Sequence, residues 1–358
     1  MKIKKKELEN GDIALVVDAT IEEVDGFYDA AVTQIALQSG IDPFHVDDLE
    51  KAVRGVVDDA FFESFAANQV MASLAPFAVS SERLDILMEP KVYPLGDECA
   101  RGKPLAFKVE VTPKPHYELS SYGPVTITVP STEITEAEID EQLASMAESF
   151  AEYEPVEGAD AKDANGEQRF EKAVPKITDA WIAEKASNIG TLERFRQLLR
   201  EEGEARKKRE LGNIKSLLAV TELAKRFEGA IPDELFMYTY RDMMNDLEAG
   251  LQKNGSTLKQ YIEQQGEDEK SFQMQMMMQA REVMTQGLSL DALARHKGFV
   301  VEDADLEAVY ELMAPGHASE VREQYEKTGK MYFIRENALR NKTNRWLVET
   351  AEVTIARS

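Results

Sequence analysis

Along this chain the spacing of hydrophobic positions changes from strand-like to helical. Residues 7–20, ending Ile13-Ala14-Leu15-Val16-Val17-Asp18-Ala19-Thr20, are rich in branched side chains and predict a strand. From Ile21 to Ser39, Val24, Phe27, Tyr28, Ala31, Ile35 and Leu37 fall mostly three or four apart, which predicts a helix stopped by Gly40. Leu49, Val53, Val56, Val57, Ala60, Phe61 and Phe65 repeat that spacing. Together they predict a single amphipathic helix over about 46 to 74, with Asp47 and Asp48 at its positive N-terminus. Leu84–Met88 and Leu105–Val111 predict two more strands, and Val125–Val129 alternates Val, Thr, Ile, Thr, Val as a half-buried strand does. Thr135 followed by Glu138 is a capping box, opening a helix through Ile139, Leu143, Met146 and Phe150 that runs to about Glu152.

Periodicity is lost over residues 154–176, where the small, polar and charged run from Glu157 to Gly166 predicts a linker. From Ile177 onward the pattern is almost wholly helical. A long charged helix from Thr191 to about Phe227 carries an apolar stripe, Leu211, Ile214, Leu217, Leu218 and Leu223, that needs a partner. Pro232 suits the first turn of a helix over residues 232–252, and Phe272, Met276, Ala280, Val283 and Met284 are in register on another over 268–296. These two can form antiparallel arms. The fold class expected is an α+β N-terminal domain followed by an all-α C-terminal body with helical arms, in an extended multi-domain arrangement. Its parts are 1–115, a connecting strand and helix over 116–153, the linker over 154–176 and the helical body over 177–358.

Composition narrows the function. With 358 residues, 43% hydrophobic and 30% charged, the chain suits two or three cores and folds in water. No run is long and apolar enough for a membrane span, and residues 1–12 have no apolar core behind a cleavage site, so the expected setting is cytoplasmic, with no membrane partner. Cys99 is the single cysteine, and His45, His116, His296 and His317 lie far apart without ligand spacing, so no metal and no cofactor are expected. Residues 1–160 hold 12 Lys and Arg against 32 Asp and Glu, which puts -20 of the net -24 in the first half. So acidic a surface repels phosphate backbones, which argues against direct nucleic-acid binding; only Lys2-Ile3-Lys4-Lys5-Lys6 is locally basic.

Catalytic signatures are missing. The chain holds no phosphate-binding glycine loop, dinucleotide fingerprint, nucleophile elbow or H-E-x-x-H. Methionine is the positive signal. Eight of the fourteen, Met237, Met243, Met244, Met274, Met276, Met277, Met278 and Met284, lie between 237 and 284. Successive helical residues point about 100° apart, so Met276, Met277 and Met278 cannot share one core. Unbranched, polarisable methionines adapt to many shapes and suit promiscuous recognition of apolar partners. With Phe236 and Tyr240 they make a candidate client-binding surface. The competing reading is that the same stripe fills helix–helix packing.

Ile231-Pro232-Asp233-Glu234-Leu235-Phe236 at a helix start resembles the arm of bacterial trigger factors. Tyr261-Ile262, the long helix after it, Leu288 to Ala294 and Phe299 to Leu306 are similar to that family's C-terminal domain in order and spacing. Lys108 to Pro113, before Tyr117-Glu118-Leu119 and Tyr122, resembles the end of its first domain. The resemblance implies a ribosome-associated chaperone, with a docking domain, an FKBP-like prolyl isomerase domain and a helical cradle for nascent chains. Two departures stand out. The isomerase would follow the helix ending near Glu152, where only about 25 residues remain, far below the roughly 50 a self-supporting domain needs. The docking loop of the family reads G-F-R-x-G-K-x-P, whereas Ile41 to Asp48, with Pro43, Phe44 and His45 at its centre, keeps neither its basic residues nor its glycines.

The expectation is a non-catalytic holdase for unfolded or nascent polypeptides, with ribosome docking in doubt. Two alternatives stay open: a prolyl isomerase and ribosome-associated factor as the family label implies, and a scaffold for one dedicated folded partner.

Overall fold

A computed structural model describes residues 1–96, 99–155 and 170–356. In chain order they form β1 (Lys2–Glu7), β2 (Ile13–Ala19), α1 (Ile21–Gln38), α2 (Leu49–Arg54), α3 (Asp59–Ser81), β3 (Lys91–Pro94), β4 (Leu105–Val111), β5 (Glu118–Leu119) and β6 (Thr126–Val129). Next come α4 (Glu136–Ser149), β7 (Glu152–Pro155), β8 (Phe170–Ala173), α5 (Asp179–Lys185), α6 (Leu192–Ala224) and β9 (Phe227–Glu228). The rest is α7 (Asp233–Lys253), α8 (Leu258–Gln265), α9 (Glu269–Lys297), α10 (Asp303–Met313), α11 (Ala318–Thr328), α12 (Met331–Thr350) and β10 (Glu352–Ile355). An α+β portion followed by a helical body is what the hydrophobic pattern predicts and what the chain adopts. Two units divide it: Met1–Val125 with Val220–Thr350, and Thr126–Ala219 with the residues from Ala351 onward.

In the first unit an antiparallel sheet runs in the order β1-β2-β4-β3. Its inward residues Leu15, Val17, Phe107 and Val109 share a core with Tyr28 and Ile35 of α1 and with Phe62, Met71 and Leu74 of α3. Alternation along β4, buried at every second residue, is the half-buried strand that the sequence predicts. Helix α1 starts on a Thr20–Glu23 capping box.

Two expectations for this region need correction, and two strands are additions to the sequence reading. The helix over about 46 to 74 is two helices: α2 ends at Gly55, and Asp58 begins α3 by accepting from the Ala60 and Phe61 N–H groups. Hydrophobic spacing runs through the break because both helices turn apolar sides to the same core. Leu84–Met88 makes a single bridge, Ile86 to Pro113, in place of a strand. Strands β1 and β3 lie on the sheet's edges, where exposed lysines hide the alternation that marks a strand.

The helical part of this unit packs α9 and α12 together, with α10 and α11 around Val309, Tyr310, Ile334 and Ala338. Helix α3 is tied to it where Ser80 donates to the Gly329 carbonyl at 2.5 Å and Arg335 donates to the Ser80 carbonyl at 3.1 Å.

In the second unit β6 pairs in parallel with β10, so a strand closes a C-terminal half that reads as helical in sequence. Helices α4, α5 and the first half of α6 enclose Ile134, Ile139, Leu143, Ile182 and Phe195. Gly203 allows this packing, since a Cβ there would meet Ile134 at 2.9 Å. Arg196 pairs with Glu136 at 2.6 Å and Asp140 at 2.7 Å, fastening α6 to α4. The stretch 154–176, expected as a linker, begins in strand and returns to strand over Phe170–Ala173, because β7 and β8 pair antiparallel from Glu152↔Ala173 to Pro155↔Phe170. Its residues 156–169 lie outside those described.

Candidate functional site

The methionine-rich surface is built on α7 and α9 of the first unit. Helix α7 opens on Pro232 with Asp233 and Glu234 in its first turn, where acidic side chains favour the helix dipole. Helix α8 starts on a Thr257–Gln260 capping box and stops at Gly266 in the left-handed conformation, where glycine meets no steric penalty. Asp268 then caps α9 by accepting from the Lys270 and Ser271 N–H groups. These caps set the turn between the two long helices.

Buried positions on these helices are few: Leu235 on α7, Ile262 on α8, and Phe272 and Ala280 along the first half of α9. Tyr261 meets the Phe272 ring edge-on at 6.0 Å, holding α8 against α9. The methionines lie outside this packing. Met237 is 40% exposed, Met274 58%, Met277 39% and Met278 66%. Met243, Met244, Met276 and Met284 are half-buried, as are Phe236 and Tyr240. The helical argument that Met276, Met277 and Met278 cannot share one core is realised with Met276 turned inward and the other two outward.

A pocket of about 220 Å³ between the helices is lined by Asp233, Phe236, Met237, Tyr240, Met277 and Arg281. It gathers four of the predicted residues. Met243, Met244, Met274, Met276, Met278 and Met284 are not among its lining. Asp233 and Arg281 are lining residues that sequence reasoning missed. Arg281 pairs with Asp233 at 2.9 Å and stacks 4.2 Å over the Phe236 ring. Forty-eight residues separate the ion pair in sequence, and only the arm pairing itself could have signalled it. The wall is therefore apolar with one charged rim.

The base of α9 is fixed by an ion network that the sequence does not announce. Asp291 accepts from Arg340 Nε at 2.9 Å and Nη2 at 2.7 Å, and pairs with Lys114 at 3.3 Å. Glu336 completes it, with Lys114 and Arg340 each at 2.6 Å. Burial raises the affinity of the Asp291 carboxyl for a proton, but Arg340 and Lys114 outweigh it and hold the carboxyl below its ordinary range. Asp85, facing the same network, is pushed above that range by burial and by Asp291 and Glu336, against the pull of Lys114 and Arg340. This network gives the arm a rigid root.

At the Ile41–Asp48 loop, Phe44 is 91% exposed, while Pro43 is half-buried and His45 exposed. Asp42 holds the turn, accepting from the Phe44 N–H at 2.9 Å and meeting His45 Nδ1 at 2.6 Å. No group of three or more metal-ligating side chains occurs among the described residues, and no described helix is long and apolar enough to cross a membrane.

Two family models match the chain: that of the bacterial trigger factor protein over residues 1–146, and that of the bacterial trigger factor C-terminus over residues 191–349. The chain belongs to the trigger factor family. It is a chaperone. Trigger factor of Pelotomaculum thermopropionicum is 23% identical over 434 residues, spanning 99% of this chain and 98% of that protein. Trigger factor of a Geobacillus species, strain WCH70, is 21% identical, spanning 99% of this chain and all of that protein. A solved structure described as "Promiscuous Substrate Recognition in Folding and Assembly Activities of the Trigger Factor Chaperone" is 17% identical and covers 98% of this chain and 99% of its own. Its TM-score is 0.36. The match to Pelotomaculum is longer than the 358 residues of this chain, so part of that relative has no counterpart in it. Neither family model covers residues 147–190, and neither describes an isomerase.

Proposed function

We propose that the protein is a cytoplasmic holdase that keeps unfolded or nascent polypeptides from aggregating by binding their apolar segments along α7 and α9, without catalysis. The observation that carries this reading is the set of exposed methionines, Met237, Met274, Met277 and Met278, beside the pocket walled by Phe236 and Tyr240. Methionine side chains re-pack around partners of different shape at low cost, which suits clients without a common sequence. The surface differs from a core in that its buried residues, Leu235, Phe272 and Ala280, are other residues.

Proline isomerisation has no place in this proposal, which rests on the stretch between β7 and β8 being too short for a self-supporting domain. Docking to the ribosome through the Pro43-Phe44-His45 loop is not proposed either, since that loop carries Asp42, Asp47 and Asp48 and no basic residue besides His45.

Two assays on the full chain test the proposal. Light scattering of a chemically denatured protein diluted into buffer should fall in the presence of stoichiometric chain, and a proline-containing tetrapeptide should isomerise at its uncatalysed rate. Unchanged scattering would remove the holdase reading, and accelerated isomerisation would restore the enzymatic one. Pull-down that yields one stoichiometric folded partner would favour a dedicated scaffold instead.

A further inference from the structure

The net charge of -20 over residues 1–160 is a sum, and the fold does not distribute its charges evenly. On β1, Ile3 packs against the core, so alternation turns Lys2, Lys4 and Lys6 to the opposite face of the sheet. Strand register then places Lys4, Val16, Lys108 and Tyr93 in one row across all four strands. The next row is Lys6, Ala14, Glu110 and Lys91, and Lys2 heads a third with Asp18 and Ala106. Five lysines thus meet two carboxylates on one face of an otherwise acidic molecule. Lys108 Nζ sits 4.6 Å from the Tyr93 ring centre and 2.8 Å from Glu110, which confirms the shared face. Lys2, Lys4, Lys6 and Lys91 are exposed and make no ion pair among the described residues.

Edge-strand lysines guard against strand-to-strand aggregation, and that alone would account for β1. It does not account for Lys91 and Lys108 projecting from the same face, nor for an exposed tyrosine between them. Besides Asp18, Lys108 and Glu110, the central strands present only the small or apolar Ala14, Val16 and Ala106, a shallow floor beside the lysine-bearing edges. Lys2, Lys4 and Lys6 recur about every 6.8 Å along it. A protein partner would look for an apolar pocket or anchor, which this floor lacks. A polynucleotide needs what is present: a track of cations for the backbone and an aromatic ring for a base. Repulsion from acids elsewhere on the chain is screened beyond about 8 Å at physiological salt.

We propose that the outer face of the β1-β2-β4-β3 sheet binds single-stranded RNA, its phosphates along Lys2, Lys4 and Lys6 and a base against Tyr93. The site is separate from the client surface, and its loss leaves the suppression of aggregation intact.

Fluorescence anisotropy with a labelled 20-nucleotide oligouridine, at salt from 50 to 200 mM, tests it. The full chain should bind with log affinity falling linearly in log salt. Replacing Lys2, Lys4 and Lys6 by Ser should weaken binding about tenfold or more at low salt and reduce the magnitude of the slope by about 2. Tyr93→Ala should cost at least about fivefold with the slope unchanged. Lys91→Ser with Lys108→Ser serves as a second charge variant should the β1 variant fail to fold. Absence of binding by the natural chain, unchanged binding by the charge variants, or equal affinity for polyglutamate or for vesicles of anionic lipid would each overturn the assignment.

Discussion

Arg281 of α9 holds its guanidinium 4.2 Å above the ring of Phe236 on α7, and the same side chain pairs with Asp233 at 2.9 Å. This one residue spans both arms and forms the rim of the pocket between them. Because Asp233 and Arg281 are well exposed, the ion pair stabilises little, about 0–1 kcal/mol, and the cation–π contact about 0.5–1 kcal/mol. Arg281→Ala should therefore leave thermal unfolding nearly unchanged. Phe236→Ala should weaken client holding more than Arg281→Ala does, and the two can be compared in the same light-scattering assay.

Packing residues of the arms should behave in the opposite way to the methionines. Leu235 and Phe272 are buried, and truncating either to Ala should lower stability by about 2–5 kcal/mol. Denaturant titration followed by circular dichroism reads the loss. An unchanged midpoint would mean that the arms do not rest on these contacts.

The ion network at the root of α9 predicts two pH dependences of opposite sign. Asp291 keeps its proton off more readily in the folded chain than in the unfolded one. Its contribution is therefore full above the ordinary aspartate value of about 3.9 and is lost as pH falls through the lower folded value. Asp291→Ala should cost up to about 3–5 kcal/mol at neutral pH, with the difference from the natural chain shrinking below about pH 4. Asp85 is shifted upward, so its favourable contribution is full below about 3.9 and is lost as pH rises through the raised folded value. Asp85→Asn should raise the melting temperature at pH 7 and give no gain at pH 3. Melting curves across that range check both.

Gly329 has φ of +69°, and a Cβ on it would fall 2.6 Å from the Phe77 ring and 2.7 Å from the Phe77 backbone nitrogen. Gly329→Ala should destabilise by about 1–3 kcal/mol through backbone strain and the clash together. A Phe77→Ala background should rescue it only in part, because the backbone nitrogen remains in the way.

Much of this fold was legible where burial is one-sided. Strand β4 alternates cleanly between Leu105 and Val111, and the Thr20 and Thr135 capping boxes mark the starts of α1 and α4. What escaped was decided by groups that periodicity does not weigh. Gly55 and Asp58 split one apparent helix into α2 and α3, and the exposed lysines of β1 left no alternation to read as a strand. Strand β10 depends on β6, over 220 residues away, a pairing no local pattern can reveal. At the candidate site the methionine cluster and its two-surface geometry were readable from helical angles. The charged rim, Asp233 with Arg281, and the root network around Asp291 were not, because they exist only once α7, α9 and α12 are brought together.

In the proposed function, exposed methionines on α7 and α9 hold clients. Replacing Met237, Met277 and Met278 by Ser removes three exposed apolar side chains while leaving Leu235, Phe272 and Ala280 in place. The most direct measurement is suppression of light scattering by this triple variant, titrated against a denatured client beside the natural chain. About five times more variant should be needed for half suppression, in keeping with the share of binding that a few anchors carry, with little change in melting temperature. Suppression equal to that of the natural chain, from a variant that melts at the same temperature, would contradict it.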